Sequence, residues 1–213
     1  MELGNSKLSI LEHVYMRLKM SREIDEITFA IPDTPLNDQL AEFLKKKNIN
    51  FFRGDEEDVL SRYYNCAIHY NPHLIIRATC DNPCVDWHLV DEMIQAIENA
   101  DYMYSSTSPL GTSVEVFKMS ALIDAYYNAK SKEEREHVCP YIINNSQYVY
   151  KEYPGNNLNY RLTVDEENDF KLMNEIYMQL YKGKPICNED IYRFLVEYPE
   201  LLKINNMVRQ KLL

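Results

Sequence analysis

A chain of 213 residues, 46% hydrophobic and 26% charged, holds enough apolar material for one sizeable core, so a single domain spanning residues 1–213 is expected. With a net charge of -10, it is a poor candidate for gripping nucleic acid by counterion release, and an anionic nucleotide would need a metal ion or a backbone nest for positive charge. Cys66, Cys80, Cys84, Cys139 and Cys187 are irregularly spaced and no secretory h-region precedes them; they read as reduced thiols of a cytoplasmic protein, and no apolar run reaches the length of a membrane span.

In chain order, residues 8–19 place Ile10, Leu11, Val14, Tyr15 and Leu18 on one helical face, with Ser9 and Glu12 at capping-box spacing. Residues 26–31 read as a strand. Residues 35–47 read as a helix with Pro35 in its first turn and Leu36, Leu40, Phe43 and Leu44 inward. After a strand at 48–52, the chain turns at Gly54 into a helix reaching residue 70, with Asp55 as its N-cap and Val59, Leu60, Tyr63, Ala67 and Ile68 on the buried side. Leu74, Ile75 and Ile76 are consecutive and apolar, which predicts a central parallel strand covered on both faces. Asp86 caps a predicted helix over 87–99; strands follow at 101–106 and 114–117. Helices are expected at 119–129 and 132–145, strands at 147–153 and 160–164, and helices at 167–181 and 188–197. This alternation argues for an α/β fold with a mostly parallel sheet and helices on both faces. The chain opens with a helix where a doubly wound domain ordinarily opens with a strand and a phosphate-cradling turn.

Two strand ends carry carboxylates. Asp81 follows the run 74–76, and Asp165 closes Tyr160-Arg161-Leu162-Thr163-Val164; as neighbours they would share one rim. Mg²⁺ takes one or two carboxylates and leaves its other positions to water and substrate phosphates, so the pair fits that ion. Both residues equally suit caps of a turn or helix, and the two readings stay open. Arg77 and Arg161 lie close before these aspartates, where a guanidinium can contact a phosphate or sugar carboxylate bidentately, or simply pair with a neighbouring carboxylate. Within Glu134-Arg135-Glu136-His137, His137 is a titratable imidazole, although a mixed-charge helix start gives the same letters. Neither a G-x-x-x-x-G-K-[ST] loop nor a G-x-S-x-G elbow occurs.

Taken together, residues 11–18 (LEHVYMRL), 52–64 (FRGDEEDVLSRYY), 75–86 (IIRATCDNPCVD), 114–117 (VEVF), 134–142 (EREHVCPYI) and 161–170 (RLTVDEENDF) resemble the cytidylyltransferase-like family of the spore-coat polysaccharide biosynthesis protein F type. Its relatives are the acylneuraminate and 3-deoxy-manno-octulosonate cytidylyltransferases. The resemblance implies a Rossmann-like domain of the nucleotide-diphospho-sugar transferase type. It would join CTP to an acidic or amino sugar for surface polysaccharide biosynthesis and release pyrophosphate, with Mg²⁺ on Asp81 and Asp165. It sets Arg77, Arg161, Glu115, Arg135, Glu136 and His137 near the sugar, and Asp38, Arg53 and Gly54 around the nucleoside. A homodimer is a further expectation.

The chain departs from the family pattern at two points. The family's T-G-D reads Thr79-Cys80-Asp81 here, placing a side chain where glycine would let the backbone approach phosphate. The family's opening strand and its Q-A-R-M-G-S-T-R-L-P-G-K loop lie upstream of the first residue, so an N-terminally truncated domain is expected, with two sheet strands left lacking a partner. An inactive paralogue that serves as a binding or dimerisation partner is the alternative reading.

Overall fold

Two β-ladders lie side by side in the computed structural model, which describes residues 1–210. The first pairs β1 (Thr28–Pro32) with β2 (Asn50–Gly54) in parallel. The second has the order β3-β5-β4-β6, from β3 (Leu74–Arg77), β4 (Tyr102–Tyr104), β5 (Glu115–Lys118) and β6 (Tyr150–Glu152). In it β5 runs antiparallel to both β3 and β4, while β4 and β6 are parallel. The sheet is therefore mixed, and β3 is not the parallel-paired strand that its apolar run suggested. Consecutive apolar residues report that both faces are covered; they carry no information on the direction of a neighbour.

Both faces are indeed covered. On one side α1 (Ile10–Leu18) and α4 (Trp87–Ala96) pack Val14, Leu18, Val90 and Met93 against Met103 and Val116. On the other, α3 (Val59–Tyr70), α5 (Met119–Asn128) and α7 (Pro140–Asn144) bring Leu60, Leu122 and Ile142 onto Tyr102 and Phe117. Each fully buried Leu or Ile adds about 2 kcal/mol by leaving water. A smaller core joins β1 to α2 (Asp38–Lys46) through Phe29, Ile31, Ala41 and Leu44. A fourth, built on α8 (Glu167–Leu180) and α9 (Asn188–Glu197), takes in Leu3, Cys84 and Leu162.

The local chemistry explains the element boundaries. Ser9 and Glu12 form the expected capping box, and the Asp86 side chain accepts from the His88 and Leu89 backbone N–H groups. The helix expected from residue 35 begins as a 3-10 turn at Pro35–Asn37 that leaves Leu36 on the surface rather than inward. In α3 the N-cap is Asp58, not Asp55; Asp55 instead accepts from the backbone of Glu57 and Asp58 in the preceding turn. Ile68, expected inward, is exposed. The helix expected over 132–145 is two, α6 (Lys132–His137) and α7, because Val138 adopts a φ of 71° and Pro140 starts a new first turn.

The expected strand at 160–164 reduces to a single parallel bridge between Leu110 and Arg161. Its amides alternate between partners: Leu162 N–H donates to Leu110 O at 2.7 Å and Val164 N–H to Asp81 O at 2.9 Å. No one strand lies alongside. The close approach depends on Gly111, whose φ is 91° and where a Cβ would lie 2.6 Å from the Leu162 carbonyl carbon.

Candidate active site

The segment from Cys80 to Asp86 leaves β3 and turns into α4, while the segment from Tyr160 to Glu166 leads into α8; the Val164–Asp81 backbone bond ties them together. That bond sets the carboxyls of Asp81 and Asp165 against each other. Partial burial, and then the charge of Asp81, push the Asp165 carboxyl above the usual carboxylate range. Each carboxylate has one oxygen engaged. Thr79 Oγ1 donates to Asp81 Oδ1, and Arg161 Nη2 donates to Asp165 Oδ2 at 2.6 Å. Among the described residues no donor engages the other oxygen of either.

Arg161 is itself fixed from behind. Its Nε donates to Asp169 Oδ1 at 2.8 Å and its Nη2 to Asp169 Oδ2 at 2.9 Å, and its Nη1 reaches Gln210. Asp169 is fully buried and also accepts from Asn205 Nδ2 at 2.9 Å. Burial alone would raise its pKa; the hydrogen bonds from Arg161, Asn205 and the Glu166 backbone outweigh that and hold it below the ordinary range.

A second cluster forms where β3 and β5 face each other. Arg77 and Glu115 are register partners, and Arg77 Nη1 donates to Glu115 Oε2. Tyr102 Oη donates to the other oxygen, Oε1, at 2.8 Å. The Arg77 guanidinium also lies over the Tyr63 ring, 6.0 Å from its centroid, and its Nε is buried with no partner among the described residues. Burial, followed by the nearby Glu115 charge, raises the Cys139 thiol well above its ordinary value.

The carboxyl ends of β1 and β2 carry a third cluster. Arg53 reaches Asp33 at 2.8 Å and Asp38 at 2.7 Å, and donates to Thr34 O at 3.0 Å. Gly54 is close-packed, since a Cβ there would meet Arg62 Cγ at 2.9 Å. The Arg135 guanidinium is committed to the fold: Nε and Nη2 donate to Asp58 at 2.8 and 2.6 Å, and Nη1 to the Tyr126 and Ala129 carbonyls at 3.2 Å. Glu136 is exposed and His137 half-buried at the end of α6.

The sequence paired Asp81 with Asp165, and the structure sets these two together; it named Arg77, Glu115, Arg53 and Asp38 singly, and the ion pairs Arg77–Glu115 and Arg53–Asp38 are contacts that the sequence did not foresee. It missed Thr79, Asp169, Asn205 and Tyr102. Asp169 stood in view within the acidic start of α8, four residues after Asp165, the spacing of one helical turn. Nothing in the sequence marks Asn205, which reaches Arg161 and Asp169 from 44 and 36 residues away.

The fold and the paired carboxylates describe a Rossmann-like α/β protein of the nucleotidyltransferase class. The family model described as cytidylyltransferase matches residues 5–209, and the chain belongs to that family. It is 38% identical over 212 residues to an uncharacterized protein of Methanocaldococcus jannaschii, covering 95% of this chain and 86% of that one. It is 31% identical over 206 residues to the spore coat polysaccharide biosynthesis protein SpsF of Bacillus subtilis, covering 92% and 86%. Among solved structures, a cytidylyltransferase from Leptospira borgpetersenii matches with a TM-score of 0.87 at 25% identity, covering 99% of this chain and 91% of that one. Among the described residues no helix is long and apolar enough to cross a membrane.

Proposed function

We propose that the chain transfers the cytidylyl group of CTP to an acidic or amino sugar, releasing pyrophosphate, in the synthesis of a surface polysaccharide. The observation that carries this reading is the contact between Asp81 and Asp165, two carboxylates held together at strand ends of a cytidylyltransferase fold.

Asp81 and Asp165 would hold Mg²⁺ through the oxygens that Thr79 and Arg161 leave unused. The donor set fits: two hard carboxylate oxygens, with the remaining positions left to phosphate and water. When bound, the ion supplies charge neutralisation between the α-phosphorus and the departing pyrophosphate. The rest falls to the protein. Asp169 and Asn205 fix Arg161, and Arg161 fixes the rotamer of Asp165, so the carboxylate needs little reorganisation to receive its ligand.

Arg77 is held by Glu115, which Tyr102 in turn holds, and is assigned to an anionic group on the sugar. Arg53, Asp38 and Gly54 are assigned to the nucleoside side. We give Arg135 the role of anchoring α6 to α3 beside the sugar site, with Glu136 and His137 at its edge.

The reaction is tested by measuring pyrophosphate release from CTP, ATP, GTP and UTP with Mg²⁺ and a panel of neutral, acidic and amino sugars. Release that requires CTP together with an acidic or amino sugar supports the reading. Release with another nucleotide in preference to CTP, or with neutral sugars alone, overturns it.

A further inference from the structure

The turn that carries Asp81 has little backbone bonding of its own. Within it, Asn82 N–H donates to Thr79 O at 3.4 Å and Val85 N–H to Asn82 O at 3.0 Å. The carbonyls of Pro83, Cys84 and Val85 are instead taken by side chains, each from a different helix. Tyr177 Oη on α8 donates to Pro83 O at 2.6 Å, Asn188 Nδ2 on α9 to Cys84 O at 2.9 Å, and Arg17 Nε on α1 to Val85 O at 2.7 Å. Each of these side chains is only 1% exposed, so a carbonyl that lost its donor would be left buried and unpaired.

Arg17 organises the set. A guanidinium can only donate, so its bond to Asn188 Oδ1 fixes the direction of that amide and turns Nδ2 toward Cys84 O. Arg17 Nη1 donates to Ile186 O at 2.5 Å, just before α9, and the guanidinium lies over the Trp87 ring at the start of α4, 4.8 Å from its centroid. Every one of its hydrogen bonds ends on a neutral oxygen. A Leu or Met would fill the space without the desolvation cost of a buried charge, so a guanidinium here marks a demand for directed donors rather than for packing.

The other carboxylate is held from one of the same helices. Asp169 on α8 fixes Arg161 and, through it, Asp165; Tyr177 on α8 fixes Pro83, close after Asp81. One helix therefore supports both sides of the pair.

We propose that Arg17, Tyr177 and Asn188 are positioning residues for the candidate metal site: by clamping Pro83, Cys84 and Val85 they hold Asp81 where it shares a cation with Asp165. The assignment rests on the Mg²⁺ reading of the carboxylate pair. The three side chains act through the backbone of the turn, which is how residues remote from a ligand set its geometry.

The test uses two conservative variants. Tyr177→Phe keeps the buried ring and removes only the donor to Pro83 O; Asn188→Asp keeps an oxygen facing Arg17 and replaces the donor to Cys84 O with a second oxygen. Tyr181→Phe, which removes a hydroxyl from the same core without touching the turn, is the control. In folded variants with unchanged circular dichroism, exchange at the Val164 amide, which is bonded to Asp81 O, is expected to quicken roughly tenfold or more, while the Met103 and Phe117 amides of the central sheet stay as in wild type. The Mg²⁺-dependent gain in CTP affinity is expected to fall by roughly tenfold with CTP affinity in EDTA unchanged, whereas a merely structural loss would weaken both. Val164 exchange equal to that of the Tyr181→Phe control overturns the clamp. Faster exchange with the full Mg²⁺ gain retained overturns the positioning role. A wild type without any Mg²⁺ gain overturns the metal reading itself and the role that rests on it, and the exchange result then still decides whether the three residues place Asp81.

Discussion

The backbone N–H of Val164 donates to the carbonyl of Asp81 at 2.9 Å, and this one bond joins two segments more than eighty residues apart so that Asp81 and Asp165 face each other. Two carboxylates in contact repel unless a cation or proton sits between them. The candidate site is therefore built at a cost to the cation-free fold.

That cost gives a stability prediction. The Asp165 pKa is raised in the folded protein, so its favourable contribution is present at low pH, where it is protonated, and declines as pH rises through the folded value. Asp165→Asn should stabilise the cation-free protein at pH 7 by a modest amount, on the order of 0.5 kcal/mol because solvent screens a partly exposed pair. Thermal unfolding in EDTA at pH 7 and pH 4 checks the sign: the gain of the variant over wild type should shrink at the lower pH. A variant less stable than wild type at pH 7 would mean that the lost Arg161 contact outweighs the repulsion.

Asp169 should behave oppositely. It is fully buried and holds both Arg161 and Asn205, so Asp169→Ala leaves a guanidinium without its main partner. Chemical denaturation should report a loss of about 3 kcal/mol. A loss below about 1 kcal/mol would show that Arg161 finds an equivalent partner in Asp165.

His13 supplies a pH dependence distant from the carboxylates. It is buried between Tyr177 and Tyr181, and burial, then the Arg17 charge, lowers its pKa to about 4. A depressed pKa means that its stabilising contribution is present above its unfolded value near 6.5 and is lost as pH falls towards 4. The melting temperature should therefore decline between pH 7 and pH 4, and His13→Asn, which does not titrate, should flatten that decline. An unchanged slope in the variant would assign the acid sensitivity elsewhere.

Gly111 links the fold to the site. Its φ of 91° and its contact with the backbone at Leu162 leave no space for a Cβ. Gly111→Ala should cost roughly 1–3 kcal/mol and should also displace the segment carrying Asp165. Denaturation, paired with hydrogen exchange at the Val164 amide, checks both parts.

The sequence made the caps and the candidate chemistry legible because these depend on short spacings: Ser9 with Glu12, Asp86 before α4, Arg77 four residues before Asp81. It was less informative where long-range packing decides. Leu36 carries an apolar letter within a plausible helix, yet the 3-10 turn exposes it. Asp55 and Asp58 are equally good caps on paper, and the turn geometry chose the second. The antiparallel course of β5 against β3 follows from the chain reversing direction between β4 and β5, which the apolar run of β3 does not report. Asn205 is an ordinary surface letter until folding carries it to Asp169.

The most direct test of the central claim is calorimetric titration of CTP into the wild-type chain and into Asp81→Asn and Asp165→Asn, each with Mg²⁺ and with EDTA. The account predicts that Mg²⁺ tightens CTP binding to the wild type by at least about tenfold, roughly 1.4 kcal/mol, and that either substitution removes this gain while circular dichroism stays unchanged. An equal Mg²⁺ effect in wild type and in both folded variants would contradict it.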